Sequence, residues 1–177
     1  MSDALQRQRR MARVMVYAAW ILLLGLLTLL FQGWLDRSAN PNRDLTTYDP
    51  SEPPEVVLER NRGGHYVAPG FINGNPVRFL VDTGATDVNI PAPVAERLEL
   101  ERGAPQQAMT ANGVITVYRT RLERVRLGNI VRHDVSASIN PRMDGSTVLL
   151  GMSFMRDLEL IQRNDTLTLR HPATGSR

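Results

Sequence analysis

One aspartate in this chain stands where a carboxylate can work as an acid or a base. The run Phe79-Leu80-Val81-Asp82-Thr83-Gly84-Ala85-Thr86 delivers Asp82 from an apolar strand into a turn of small residues. Asp-Thr-Gly by itself also fits an ordinary strand-ending turn, because Asp and Gly both favour turns. Its company separates the two readings. Three apolar residues precede the aspartate, Ala85 follows the glycine, and Leu149-Leu150-Gly151 lies about 65 residues on.

Other chemistries are less well supplied. Gly151-Met152-Ser153-Phe154-Met155 nearly matches the G-x-S-x-G turn of serine hydrolases, with Asp157 and His171 downstream. The final glycine is missing, and the domain is too small for that fold. His65, His133 and His171 are scattered without H-E-x-x-H spacing, so no metal is expected, and His133 beside Asp134 reads as a solvated strand pair. The absence of cysteine excludes thiol nucleophiles, disulfides and Cys-based zinc modules. All 21 basic residues are arginine, which excludes a Walker-type phosphate loop and a Schiff-base lysine.

At Asp82-Thr83-Gly84-Ala85-Thr86, Thr110-Ala111-Asn112-Gly113 and Leu149-Leu150-Gly151-Met152-Ser153-Phe154 the chain resembles the retroviral-type, or retropepsin-like, aspartic proteases. More narrowly it is similar to the bacterial membrane-anchored branch of that clan, over about residues 63 to 170. The resemblance implies that Asp82 is catalytic and that Thr83, Gly84 and Ala85 form the active-site turn. Asn112 and Gly113 would tip a flap, and Leu150 and Gly151 would support the turn from the second motif. Asp87, Asn89 and Ile90, with Val114 and Ile115, are the expected pocket residues.

The chemistry so implied is peptide-bond hydrolysis by two carboxylates. Held within about 3 Å, the two cannot both ionise, so they share a proton and titrate as a pair. The charged member activates a water, and the protonated one polarises the scissile carbonyl and later protonates the leaving amine. No cofactor is required. Thr83 would hold the turn across the dimer axis, and Gly84, lacking a Cβ, would let backbone lie beside the carboxylates. Only one Asp-Thr-Gly occurs, so the second aspartate is expected from another copy in a C2 homodimer. The strands around Leu158 to Leu169 are candidates for the interface. One departure stands out. The viral enzymes usually pair an arginine after the second-motif glycine with an aspartate two residues beyond Asp-Thr-Gly, and here those positions hold Met152 and Thr86. The joint loss avoids a lone buried charge.

The elements that must position these residues read as short strands. Asn73-Gly74, Asn112-Gly113, Gly128-Asn129 and Asn164-Asp165 each divide two apolar, strand-like runs, the pattern of tight hairpins. Helix is confined to about Pro93 to Leu98 and a piece near Ser153 to Asp157. The expectation is an all-β domain, a small retropepsin-like barrel with one or two short helices, over residues 59–172.

Ahead of it, residues 14–35 carry no charge and are long enough, at 1.5 Å each, to cross a core of about 30 Å. Residues 1–13 hold four arginines against Asp3, which accounts for the whole net charge of +3. That cluster is a flank, not a nucleic-acid patch, and the positive-inside rule places residues 1–13 in the cytoplasm. A cleaved signal peptide would have a shorter apolar region and a small-x-small site, which Phe31 to Leu35 does not offer. Residues 36–58, with Pro41, Pro50, Pro53 and Pro54, read as a flexible linker, and 173–177 as a disordered tail. The expectation is a single-pass inner-membrane protein with a periplasmic protease domain that cuts protein or peptide substrates near the membrane. The alternative is a membrane-tethered binding or dimerisation module of the same fold without catalysis.

Overall fold

The computed structural model describes residues 2–45, 49, 51, 54–110 and 113–172, with backbone alone for residues 2–9, 12, 36 and 37. The expected tail 173–177 and the expected flap residue Asn112 lie outside the described residues. The chain divides into two units, Met1–Ser38 and Ala39–Arg177.

The first unit is one helix, α1, Ser2–Ala39. Its stretch Arg13–Leu35 is long and apolar enough to cross a membrane by length and composition. Leu22, Leu24 and Leu29 are exposed together with Trp20 and Phe31, so the helix is apolar all round and not along one stripe. The hydroxyls of Thr28 and Ser38 donate back to the carbonyls of Leu24 and Trp34, each at 2.8 Å. Neither hydroxyl is left without an acceptor.

The second unit contains β1 Glu55–Glu59, β2 Val67–Ile72, β3 Asn75–Val81, β4 Val88–Pro91, α2 Ala92–Arg97, β5 Pro105–Thr110, β6 Gly113–Leu127, β7 Ile130–Asn140, β8 Thr147–Leu150, α3 Met152–Met155, β9 Glu159–Arg163 and β10 Thr166–Arg170. Hydrogen-bonded neighbours run β2-β3-β8-β4-β7-β6, and β6 returns to β2 through Phe71 opposite Arg126 and Ile72 opposite Val125. That contact closes a six-stranded barrel. The 15 residues of β6 let its first half also carry β5 as an outward hairpin. A separate sheet, β1-β10-β9, completes the unit.

Alternation decides which faces are buried. On β3, Val77 and Phe79 are buried while Pro76 and Arg78 are exposed. Phe79, Ile72, Val88, Ile90, Leu122, Val125, Ile139, Val148 and Leu150 fill the barrel, all at 1% exposure or less. The turns carry the backbone the sequence demanded. Asn73 and Gly74 have φ of 49° and 85°, the pair of positive values a two-residue hairpin turn needs, and Asn164 has 51°.

The expected linker 36–58 requires correction. Helix α1 runs on to Ala39, Asn40 and Asn42 are 7% and 6% exposed, and residues 55–58 belong to β1. Val56 and Leu58 are buried opposite Leu169 and Leu167 of β10. The alternation Glu55-Val56-Val57-Leu58-Glu59 is a half-buried strand, and the prolines just before it disguised it as spacer.

Phe79 has no exposed surface at the centre of the barrel. Phe79→Ala is expected to lower the unfolding free energy by about 3–5 kcal/mol, read as a lower urea midpoint at an unchanged slope.

Candidate active site

Asp82 leaves the end of β3 still paired to β8: its N–H donates to the Leu150 carbonyl at 3.2 Å, beyond the parallel partners Val81 and Leu150. On its other side β8 pairs antiparallel with β4 at Asn89 and Leu149. The strand therefore passes between the two arms of the Asp82 turn. Within that turn the Gly84 N–H donates to Asp82 Oδ1 at 2.9 Å and the Ala85 N–H to the Asp82 carbonyl at 3.3 Å. The first bond orients the carboxylate, and the second closes the chain behind it. Asp82 is half-buried, and Thr83 and Gly84 are exposed.

Gly151 sets how close β8 comes to the turn. A Cβ there would lie 2.2 Å from the Asp87 carbonyl oxygen and 2.6 Å from that of Ala85. Immediately after it, α3 begins by aiming its free amides at the turn: Met152 N–H to the Ala85 carbonyl at 2.8 Å, Ser153 N–H to that of Thr86 at 2.9 Å. Orphan donors of a helix start are thus satisfied by the orphan acceptors of the loop. Gly84 is less crowded, since a Cβ there would stand 3.2 Å from Asp82 Oδ1, a side-chain atom, and meet no backbone.

Ser153 is the residue whose role the sequence did not reveal. Its hydroxyl accepts the Val88 N–H at 3.0 Å and donates to the Ser136 carbonyl at 2.7 Å, joining β4, β7 and α3. Both bonds are structural, so the serine-hydrolase reading has no free hydroxyl. Asp157, its supposed partner, is hydrogen-bonded by Arg132, which holds its carboxyl below the usual carboxylate range. Asp134 similarly takes Arg121 as its hydrogen-bond partner, not its neighbour His133, and its carboxyl is lowered by that bond. Met152 is partly buried against the core and Thr86 is exposed, so an apolar contact occupies one end of the missing ion pair.

Two hollows flank these residues. One of about 280 Å³ is lined by Tyr66, Val81, Asp82, Thr83, Leu160, Gln162 and Leu167, which brings β9 and β10 against the turn. A larger groove, about 850 Å³, runs past Leu98 to Gly103 and Arg119 to Arg121 and takes in Asp87 but not Asp82. Of the other expected pocket residues, Asn89 is partly exposed, its Nδ2 donating to Ser138 Oγ at 3.2 Å. Ile90 is corrected: it is fully buried in the barrel, because alternation along β4 turns Val88 and Ile90 inward together.

The β5–β6 hairpin, where the flap is expected, pairs Thr110 with Gly113 and Met109 with Val114. Gly113 has φ of 105°, and Thr110 Oγ1 donates to its carbonyl at 2.8 Å. Met109 is 89% and Val114 57% exposed, so the hairpin presents apolar side chains outward, while Ile115 is buried. Among the described residues, no group of three or more His, Asp or Glu side chains is placed to hold a metal.

Comparison with known proteins agrees with this geometry. Residues 68–157 match the family model "gag-polyprotein putative aspartyl protease". The curated "Uncharacterized protein in cobV 5'region" of Sinorhizobium sp. is 32% identical over 134 residues, 73% of this chain and 58% of that protein. The chain thus spans less than two thirds of that relative's length. Among solved structures, a retropepsin-like aspartic protease from Rickettsia conorii superposes with a TM-score of 0.57 at 27% identity, over 66% of this chain and 90% of that one.

The two glycines are expected to respond differently to a methyl group. Gly151→Ala meets backbone that cannot yield and should cost about 3 kcal/mol or more, whereas Gly84→Ala should cost less than about 1. Parallel denaturant titrations of the two variants measure the difference.

Proposed function

This chain belongs to the retropepsin-like aspartic protease family, and from that premise we propose that it is a membrane-anchored aspartic endopeptidase acting as a homodimer through Asp82 of each copy. The observation that carries the reading is the Asp82 turn itself. Its carboxylate is fixed by the Gly84 N–H, its arms are held apart by β8, and it opens onto a hollow walled by β9. A single carboxylate cannot be both acid and base toward one water at one time. A second Asp82 about 3 Å away supplies the missing role. The ionised aspartate takes a proton from the water as its oxygen attacks the scissile carbonyl. The protonated one stabilises the resulting oxyanion, and a proton then passes to the leaving amine.

The partner copy has a candidate surface. Sheet β1-β10-β9 has β1 and β9 at its edges; the Asn42 amide occupies the Glu59 end of the β1 edge, and the charges of the two strands also differ. Antiparallel self-pairing of β1 about Val57 would set Glu55 against Glu59 of the other copy, a like-charge pair at each end. Self-pairing of β9 about Ile161 sets Glu159 against Arg163 at both ends. Because Asn164 and Asp165 make a two-residue turn, Arg163, Ile161 and Glu159 point their backbone groups at β10. The groups of Leu160 and Gln162 then face the open edge, and both side chains line the Asp82 hollow. Two such edges joined across a twofold axis bring two Asp82 turns to one side.

The apolar stretch Arg13–Leu35 is read as a single inner-membrane span, with its arginine-rich flank cytoplasmic and the catalytic unit periplasmic. The β5–β6 hairpin, with Gly113 near its tip and Met109 and Val114 exposed, serves as the flap that covers a bound peptide.

Two measurements test the reading. Full-length protein should cleave members of a diverse peptide pool, and Asp82→Asn should reduce cleavage by about a thousandfold or more without loss of folding. Equal turnover by the variant sinks the protease. The chain has no cysteine, so Ile161→Cys adds the sole thiol. Oxidation should give a covalent dimer, because opposed residues of a non-hydrogen-bonded pair lie about 4.5 Å apart. Val57→Cys, on the other edge, should stay monomeric. Cleavage without the Ile161 cross-link would discard this interface and keep the enzyme.

A further inference from the structure

The outer face of β2 and its neighbours carries charge of one sign. Alternation turns Val77 and Phe79 of β3 into the barrel and leaves Arg78 outside, opposite Pro69 of β2. Two residues along β2, on the same face, Phe71 stands opposite Arg126 of β6. Arg124 is exposed on that strand beside the fully buried Val125, and it lies opposite His133 of β7. Asn73 fastens this end of the face. Its N–H donates to the Arg124 carbonyl at 2.8 Å, and its Oδ1 accepts the Arg124 N–H at 3.1 Å. From the side α2 contributes Arg97, whose Nη1 donates to the Pro76 carbonyl at 3.5 Å.

The arginines of this face differ in how they are held. Arg126 lies over the Phe71 ring, 4.1 Å from its centroid, and donates to the Gly128 carbonyl at 3.4 Å. Stacking fixes the plane of that guanidinium. The guanidiniums of Arg78 and Arg124 are exposed and have no partner among the described residues. Strands β2 and β3 contain no acid at all. Of the acids on neighbouring elements, Asp134 is taken by Arg121, Glu96 by Arg102, and Glu123 lines the larger groove. The large apolar side chains exposed on the described part of this unit are Val57, Met109 and Val114, none of them on this face, so it offers nothing to bury in lipid.

From Arg78 to Arg124 the face runs two strand spacings across and four residues along, roughly 16 Å. An extended peptide of about five residues covers that span. Its side chains repeat on one side about every 7 Å, so acids at alternate positions would meet the arginines in turn. Carboxylates suit a planar guanidinium, which can take both oxygens at once. A nucleic acid would run past the patch and meet the acids of a chain whose charge beyond residue 13 is balanced.

We propose that this arginine face docks an acidic, extended segment of the protein substrate, away from the peptide bond that is cut. The inference rests on the proteolytic reading above. No residue of the face lines the Asp82 hollow, and Arg78 precedes Asp82 by four residues, about 13 Å of extended strand. Docking there adds affinity through a second contact on the same substrate chain and leaves the chemistry unchanged.

The test titrates full-length Asp82→Asn protein, in nonionic detergent, with a fluorescent peptide of about twelve residues bearing Glu at alternate positions. The peptide should bind, and the double variant Arg78→Gln/Arg124→Gln should weaken binding about fivefold or more at an unchanged urea midpoint. Removing two arginines outside the face, as Arg102→Gln/Arg156→Gln, should leave binding within about twofold. No binding, equal binding by the face variant, or equal loss in the control variant overturns the proposal. Tighter binding of a single-stranded DNA of the same charge, dependent on the same two arginines, also overturns it and makes the face a nucleic-acid site. Cleavage supplies a second readout. A peptide cut by the wild type is joined to the acidic segment through about ten Gly and Ser residues. The face variant should raise KM for that substrate about fivefold at unchanged kcat, and should cut the peptide without the segment at the wild-type rate. A KM indifferent to the segment overturns the docking and leaves the protease standing. Binding through Arg78 and Arg124 without cleavage of any substrate sinks the protease reading and keeps the acidic-segment site.

Discussion

Everything about the Asp82 turn depends on β8 passing between its two arms at a distance only glycine permits. With no Cβ at Gly151, the carbonyls of Ala85 and Asp87 close on the chain, and α3 can start at once with its amides aimed into the turn. The arrangement is cooperative in the sense that each partner satisfies the other's orphan groups. The turn lacks donors for its carbonyls, the helix start lacks acceptors for its amides, and neither needs water once they meet. Ser153 extends the same fixture to β4 and β7, so the carboxylate is held by strands on three sides and not by its own loop alone.

That fixture explains the division of labour between the two sheets. The barrel buries Phe79, Ile90, Leu122, Ile139 and Leu150 and is stabilised within one copy by apolar burial. The sheet β1-β10-β9 has a buried face, through Val56, Leu58, Leu167 and Leu169, and two edge strands, of which β1 is covered at Glu59 by Asn42. Edges are normally guarded, and β1 is guarded by glutamates that repel their own copies. On β9 acid and base are placed symmetrically about Ile161, which invites the same pairing that β1 refuses. The second carboxylate that the proposed mechanism requires would meet the first beside this edge, since Leu160 and Gln162 of β9 line the Asp82 hollow.

The segment between the apolar helix and β1 follows a different logic. Backbone groups of Glu59 and Val67 would be short of partners at the β1–β2 junction, and a side chain from upstream supplies them. An asparagine is suited because its amide carries both a donor and an acceptor and mimics a peptide unit. The cost of burying that amide is offset only when every bond is made, which ties residues 40–45 to the domain as firmly as a strand.

Much of this was legible in the order of residues. Asn73-Gly74 and Asn164-Asp165 determined their hairpins, because the positive φ of Asn73, Gly74 and Asn164 is a local steric preference. The apolar run before Asp82 and the small residues after it determined where a carboxylate would stand, and the uncharged stretch from residue 14 to 35 determined one long apolar helix. Tertiary structure alone decided the rest. That β6 returns to β2, that Ile90 faces inward, that Ser153 binds Ser136 and Val88, and that Asn42 serves Glu59 and Val67 are pairings across 17 to 65 residues of chain or choices of strand face. Local propensity is blind to them, since a hydroxyl or an amide offers the same bonds to any neighbour. Only the packed barrel determines which neighbour arrives.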